Sequence, residues 1–196
     1  ARVALLDDAP PAALRCCAAI LHDVSWEAKA HAHLVARADL LVPTLAKLVA
    51  DAKKTELEAR LADVSNVLCN LSCSQDSVGN LVDAGGVACL ARATRAAAAS
   101  SKNPDAILAL HARAARNLSH AKGPDGSLHP CWSGDDVEPM LRAIAKESQK
   151  GARGGDDPAR LDDAAACLYN LLAAGGADLT AGDALCALLM ALFKRA

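Results

Sequence analysis

One short phrase recurs four times along this chain, and it constrains the fold more than any other feature. It reads Leu21-His22-Asp23-Val24-Ser25, Leu68-Cys69-Asn70-Leu71-Ser72, Ala115-Arg116-Asn117-Leu118-Ser119 and Leu168-Tyr169-Asn170-Leu171-Leu172. The central polar residues, Asp23, Asn70, Asn117 and Asn170, follow one another after 47, 47 and 53 residues. A period in that range belongs to arrays of stacked helical units, none of which can bury its apolar face alone. Such arrays present extended binding surfaces, so the spacing bears on function as well as fold.

The residues around each phrase repeat too. Nine positions before the central residue stand Leu14, Leu61, Leu108 and Leu161; two before it stand Leu21, Leu68, Ala115 and Leu168; one after it stand Val24, Leu71, Leu118 and Leu171. Cys17, Val64, Ala112 and Ala164 fill the gap. These offsets fall on one helical face, which predicts an amphipathic helix ending in each phrase. Starts agree: Pro11, Pro104 and Pro158 suit the first helical position, with Asn103 and Asp157 as caps for the last two. The second copy has no proline, and Thr55 with Glu58 offers a capping box instead.

A second helix is expected after each phrase, over 40–49, 87–95, 137–146 and 184–194. Between Ser77 and Val87 the pattern predicts a short helix, a Gly85-Gly86 turn and a helix start. The first copy offers a longer helix over 26–38. The stretch 122–135 is expected to be a turn-rich loop in place of a short helix. Surface connections are expected at 97–102 and 151–156. The repeats then run roughly 1–50, 51–96, 97–147 and 148–196 within one domain.

Composition narrows the function. Aromatic residues make up 2% of the chain and hydrophobic residues 53%, so the core must be built from many small contacts. Formal net charge is −2, and no dense Lys/Arg cluster suits a phosphate backbone, which argues against nucleic acid as a partner. No apolar run is long enough to span a bilayer. Eight cysteines show no CxxC pair and no Cys/His ligand spacing. Most lie in apolar helical patterns and read as small reduced hydrophobes. Cys69 with Cys73, and Cys16 with His22, lack the further ligands a metal site needs. The sequence therefore implies no cofactor, no metal and no catalytic set.

At Asn70-Leu71-Ser72 and Val82-Asp83-Ala84-Gly85-Gly86-Val87 the chain resembles an armadillo repeat, with a HEAT-type array, which shares the stacked-helix physics, as the alternative. The resemblance covers nearly the whole chain in register, with Asn117-Leu118-Ser119 the other close match; Asp23 and Leu172 depart from the pattern. It implies an all-α, right-handed superhelix of about four repeats. It implies a concave groove, lined by the phrase helices, that holds extended peptides or partner proteins. Ala19, Asn66, Arg113 and Ala166 stand where nuclear-import adaptors carry tryptophan, so import-signal binding is not expected.

The groove residues to examine are Asn66, Asn70, Arg113, Asn117 and Asn170, with Asp63 and Asp163 seven positions before their Asn. An asparagine amide can donate to and accept from a peptide backbone, or bond its own array's main chain at the helix end. His31 and His33 are expected to face solvent. Trp132 either pins the 121–135 insertion into the core or anchors a partner. Paired carboxylates such as Asp135-Asp136 and Asp156-Asp157 read as helix-start residues. Apolar stretches at 3–6 and 185–193 imply a longer array or a subunit packed in a larger assembly. The expected function is a non-catalytic protein-interaction scaffold in the cytoplasm, with an axonemal assembly as the setting that the resemblance favours. The alternative is a regulatory or catalytic subunit using Cys, His and Asp around 121–135.

Overall fold

A computed structural model describes residues 9–52, 55–100, 104–133, 136–154 and 158–174. Among them are nine α-helices and no strand: α1 Pro11–Ser25, α2 Ala28–Val35, α3 Ala38–Ala50, α4 Leu57–Ser72, α5 Gln75–Asp83, α6 Gly86–Ser100, α7 Pro104–Leu118, α8 Val137–Gly154 and α9 Pro158–Ala173. Each recurring phrase closes one helix: α1, α4, α7 and α9. The expected helix over 184–194, the caps Asn103 and Asp157, and the apolar stretches near both ends of the chain lie outside the described residues.

Helix starts follow the prolines. Pro11, Pro104 and Pro158 each stand at the first helical position, where the missing N–H would have no helical partner anyway. The expected capping box in the second copy does not form. Helix α4 begins at Leu57, its cap position is Glu56, and no side chain caps it. Thr55 is left outside in a turn. The Glu56 carboxylate instead accepts from Arg60 Nη2 at 2.5 Å.

The offsets mark the core as predicted except at Val24, which is exposed because α1 packs only on helices to its C-terminal side among the described residues. Leu14, Leu61, Leu108, Leu21, Leu68, Leu168, Leu71, Leu118 and Leu171 are all buried. Their burial orders the helices in two rows. The phrase helices pack on one another in sequence, α1 on α4, α4 on α7, α7 on α9. A second row, α3, α6 and α8, packs behind them, each helix also touching the phrase helices of its own and the following copy. Apolar residues at helical spacing on both rows meet along this seam, which is the core.

Breaks between helices differ in their chemistry. After α5 the chain turns at Gly85, whose φ of +89° favours glycine. At the next residue a Cβ would lie 2.6 Å from the Leu81 carbonyl oxygen, so Gly86 leaves room for helix α5 to pack closely. The first copy reaches the same short-helix, long-helix arrangement without glycine. The expected single helix over 26–38 is interrupted at Ala36 and Arg37. There Arg37 N–H bonds Leu34 O and Leu41 N–H bonds Arg37 O, so one helix tightens and the next begins. The change of direction buries both Val35 and Leu41.

In two expected loops the described residues, 97–100 and 151–154, are helical. Helix α6 runs through Ser100 because Ala97 is buried in the core and alanine is the best helix former. Helix α8 continues through Gly154. The 122–133 insertion is irregular as predicted. It is held by a Lys122–Leu128 bridge, a turn at Gly126, and a bond from Leu128 N–H to Ala174 O at 3.0 Å. A short 3-10 turn, Pro130–Ser133, carries Trp132 into the interior, where none of its surface remains exposed.

Candidate protein-binding groove on the phrase helices

The Ser that ends each of the first three phrases is tied to its own helix. Ser25, Ser72 and Ser119 donate their hydroxyl protons to the carbonyls of His22, Cys69 and Arg116 at 2.7, 2.8 and 2.6 Å. A hydroxyl has one proton, so each oxygen can then only accept. The Asn of the following phrase meets that need. Asn70 Nδ2 donates to Ser25 Oγ at 3.0 Å, Asn117 Nδ2 to Ser72 Oγ at 3.2 Å, and Asn170 Nδ2 to Ser119 Oγ at 2.9 Å. Three identical rungs thus join the four phrase helices.

The rungs account for the two departures in the phrase. Asn is present in copies two to four, each of which has a Ser in the phrase before it. Ser is present in copies one to three, each of which has an Asn in the phrase after it. Asp23 and Leu172 occupy the positions left over at either end of the ladder. In the second and third rungs the other N–H of the amide is drawn to the residue after the Ser. Asn117 Nδ2 lies 3.6 Å from Cys73 Sγ, and Asn170 Nδ2 lies 3.4 Å from His120 Nε2. Asn117 and Asn170 are therefore donors within the fold, and what they hold out is the carbonyl oxygen. Asn66 follows the same rule by another route, donating to Ala62 O one turn back at 2.9 Å. For Asn117 and Asn170 the amide N–H groups are taken up by these contacts within the fold.

A second contact repeats between neighbouring copies. The residue seven before each Asn meets the residue just before the polar centre of the preceding phrase. Asp63 Oδ1 lies 3.3 Å from His22 Nδ1, and Asp163 Oδ1 accepts from Arg116 Nη1 at 2.8 Å. Between them the same positions hold Cys69 and Leu110, an apolar substitute. Trp26 Nε1 donates to His22 Nε2 at 3.0 Å, which leaves the His22 proton on Nδ1, toward Asp63. Partial burial pushes the Asp63 carboxyl above its usual range, His22 opposes that, and Asp23 adds to it.

Asp163 is buried, and its other oxygen accepts from Arg113 Nε at 3.4 Å. The structure thus brings Arg113 and Asp163 together, and Asp163 lies beneath the surface that its position in the sequence led us to expect on top. The sequence did not mark Arg116 or the three serines as groove residues, and it weighed His22 only as a metal-ligand partner of Cys16. The signal was present in the Ser of the phrase and in the recurring offset. Beside Asn117 a cavity of about 420 Å³ opens between the end of α7 and the start of α5, lined in part by Cys73, Gln75 and His120. Asn66, Asn70, Asn117 and Asn170 are half-buried along the row, and Arg113 is exposed.

The other expectations divide. Trp132 is the pin of its insertion and presents nothing to a partner. His31 is half-buried and donates from Nε2 to Ser25 O at 2.7 Å, whereas His33 is exposed. Cys89 and Cys167 are buried, and burial pushes their thiols up to about 12. Cys69 and Cys131 are pushed up to about 11 for the same reason. Cys16 and Cys73 are exposed, against the expectation that thiols here are core residues. Among the described residues no group of His, Cys, Asp and Glu is placed to hold a metal ion. No helix among them is long and apolar enough to cross a membrane. Comparison with protein-family models, with curated proteins and with solved structures finds no match to this chain.

Proposed function

We propose that this chain is a non-catalytic protein-interaction scaffold, an armadillo-like array that binds extended segments of partner proteins along its phrase helices. The observation that carries this reading is the row itself. Asn66, Asn70, Arg113, Asn117 and Asn170 share one side of consecutively packed helices, and the rungs fix the spacing between them. Carbonyl oxygens at a repeating interval suit the N–H groups of an extended chain. The outer faces of the row support a place in a larger assembly. Leu172 on α9 is 39% exposed where the equivalent Ser25, Ser72 and Ser119 are buried in the earlier copies, and Tyr169 on the same helix is 72% exposed. Ile20 on α1 is 60% exposed where Val67, Ala114 and Cys167 are buried in the others. An axonemal or other cytoskeletal setting is part of this proposal.

The enzymatic alternative finds less support. The Cys131 thiol is held protonated by burial, so it is a weak nucleophile. His129 has both ring nitrogens engaged, with Asp83 Oδ1 at 3.1 Å and with the Cys131 N–H at 3.3 Å. The insertion uses its polar groups to anchor itself.

A photo-crosslinking residue placed at Asn66 or Arg113 tests the proposal against one placed at Ala88, exposed on α6 of the other row. In extract from the native source, the groove positions are expected to give discrete protein adducts that Ala88 does not. Equal adducts at Ala88, or none at the groove, would contradict it.

A further inference from the structure

We infer that the groove selects an acidic side chain on the segment it binds, and that Arg113 and Arg116 on α7 are the residues that read it. This rests on the proposed groove and adds the chemistry of the partner. Arg113 Nε and Arg116 Nη1 both donate to Asp163, one to each carboxylate oxygen, at 3.4 and 2.8 Å. The Asp163 side chain is 8% exposed, while the two arginines are 54% and 48% exposed. One buried anion is shared by two surface cations, which leaves a net positive charge facing the groove. Neither arginine has another hydrogen bond or ion pair among the described residues.

Geometry favours an anion over other occupants. With Nε on Asp163, the Arg113 guanidinium is held by its inner edge. Its two terminal nitrogens remain to meet a carboxylate or phosphate in the planar, two-bond manner that lysine cannot reproduce. Asn117 lies one turn further along α7, with its amide N–H groups committed to Ser72 and Cys73. Its carbonyl oxygen can accept a main-chain N–H from the same ligand. The α1–α4 end of the row has the opposite character, with Asp23 exposed and Asp63 facing the single imidazole of His22. An acidic residue is therefore placed at the α7–α9 end and disfavoured at the other.

The test uses the full chain and fluorescein-labelled ten-residue peptide pools. Each pool is randomised around one fixed central residue: Glu, phosphoserine, Gln or Lys. Binding is read by fluorescence anisotropy at constant salt. The Glu or phosphoserine pool is expected to bind on the order of tenfold more tightly than the Gln pool, the gain of one charge-assisted pair, with the Lys pool weakest. Preference for Glu identifies an ordinary acidic segment, and preference for phosphoserine alone a phosphorylated one; both uphold the inference. Arg113→Gln keeps Arg116 on Asp163, so the helix packing survives, and is expected to bring the Glu to Gln ratio close to one, whatever the strength of Gln-pool binding. Arg113→Lys is expected to recover only part of the ratio. Pools that bind without acidic preference, or a preference unchanged in Arg113→Gln, would overturn the inference and leave the groove standing. Failure of every pool to bind would overturn the groove and the inference together.

Discussion

Replacing Trp132 by alanine is expected to lower the unfolding free energy by about 3–5 kcal/mol, among the largest single effects in this chain. The ring is completely buried in a core that contains few other large side chains. Side chains in a close-packed core relax only partly into the space, so a cavity remains. The loss would also release the 122–133 insertion, whose other ties are the Leu128–Ala174 bond and the half-exposed His129–Asp83 pair. Phenylalanine at the same position is expected to cost far less. The indole Nε1 is buried without a hydrogen-bond partner, and removing that N–H relieves roughly 1–3 kcal/mol of desolvation that the smaller ring otherwise forfeits in contacts. Urea unfolding followed by circular dichroism measures both. In the wild-type chain tryptophan emission adds a local readout of the insertion, because Trp26 is 64% exposed and only Trp132 emits from an apolar site; both variants lose that reporter and are followed by circular dichroism alone. Equal destabilisation by Ala and Phe would show that the cavity is not the cause.

Acid is expected to weaken the fold through His111. This ring sits at 0% exposure where α4, α6 and α7 meet, with Nε2 2.6 Å from Ser65 Oγ and Nδ1 3.0 Å from Thr94 Oγ1. Both hydroxyls also reach carbonyls of their own helices, Leu61 and Leu90. A neutral imidazole has one N–H, so one hydroxyl receives the ring proton and the other donates to the bare nitrogen. Burial lowers the His111 pKa from 6.5 to about 3. The folded chain therefore refuses a proton that the unfolded chain accepts below pH 6.5. Stability from this group is complete above 6.5 and declines as pH falls toward 3, by roughly 1.4 kcal/mol per pH unit at most. Between pH 6.5 and 5 the expected loss is on the order of 2 kcal/mol. His111→Gln can still donate to one hydroxyl and accept from the other, and it does not titrate. Urea midpoints at pH 7 and pH 5 are expected to differ markedly more in the wild type than in His111→Gln. The same pH slope in both proteins would place the acid sensitivity elsewhere.

The helices and their core faces were legible because leucines at fixed offsets obey a helical period whatever their neighbours are. The helix starts at Pro11, Pro104 and Pro158 were legible because proline satisfies only one end of a helix. Breaks without glycine were not: Ala36 and Arg37 turn the chain because burial on both sides demands it, and nothing local announces this. Arg60 was equally hidden. It occupies a position that Ile107 fills in the next copy, lies 2% exposed, and bonds Glu56 at 2.5 Å. The groove was half legible. The sequence marked the Asn residues as candidates for the groove, but amide chemistry alone leaves donor and acceptor open. The partner that decides between them is a serine some 45 residues away, whose own proton is already committed to its helix.

That commitment is what the account rests on, since the rungs both hold the phrase helices together and determine what the groove can offer. A double-mutant cycle on Ser72 and Asn117 tests it most directly. Ser72→Ala, Asn117→Ala and the double variant are compared by urea unfolding at pH 7. The rung predicts a coupling energy of about 1 kcal/mol, with the second substitution costing clearly less once the first is made. Additive losses, with a coupling indistinguishable from zero, would contradict it.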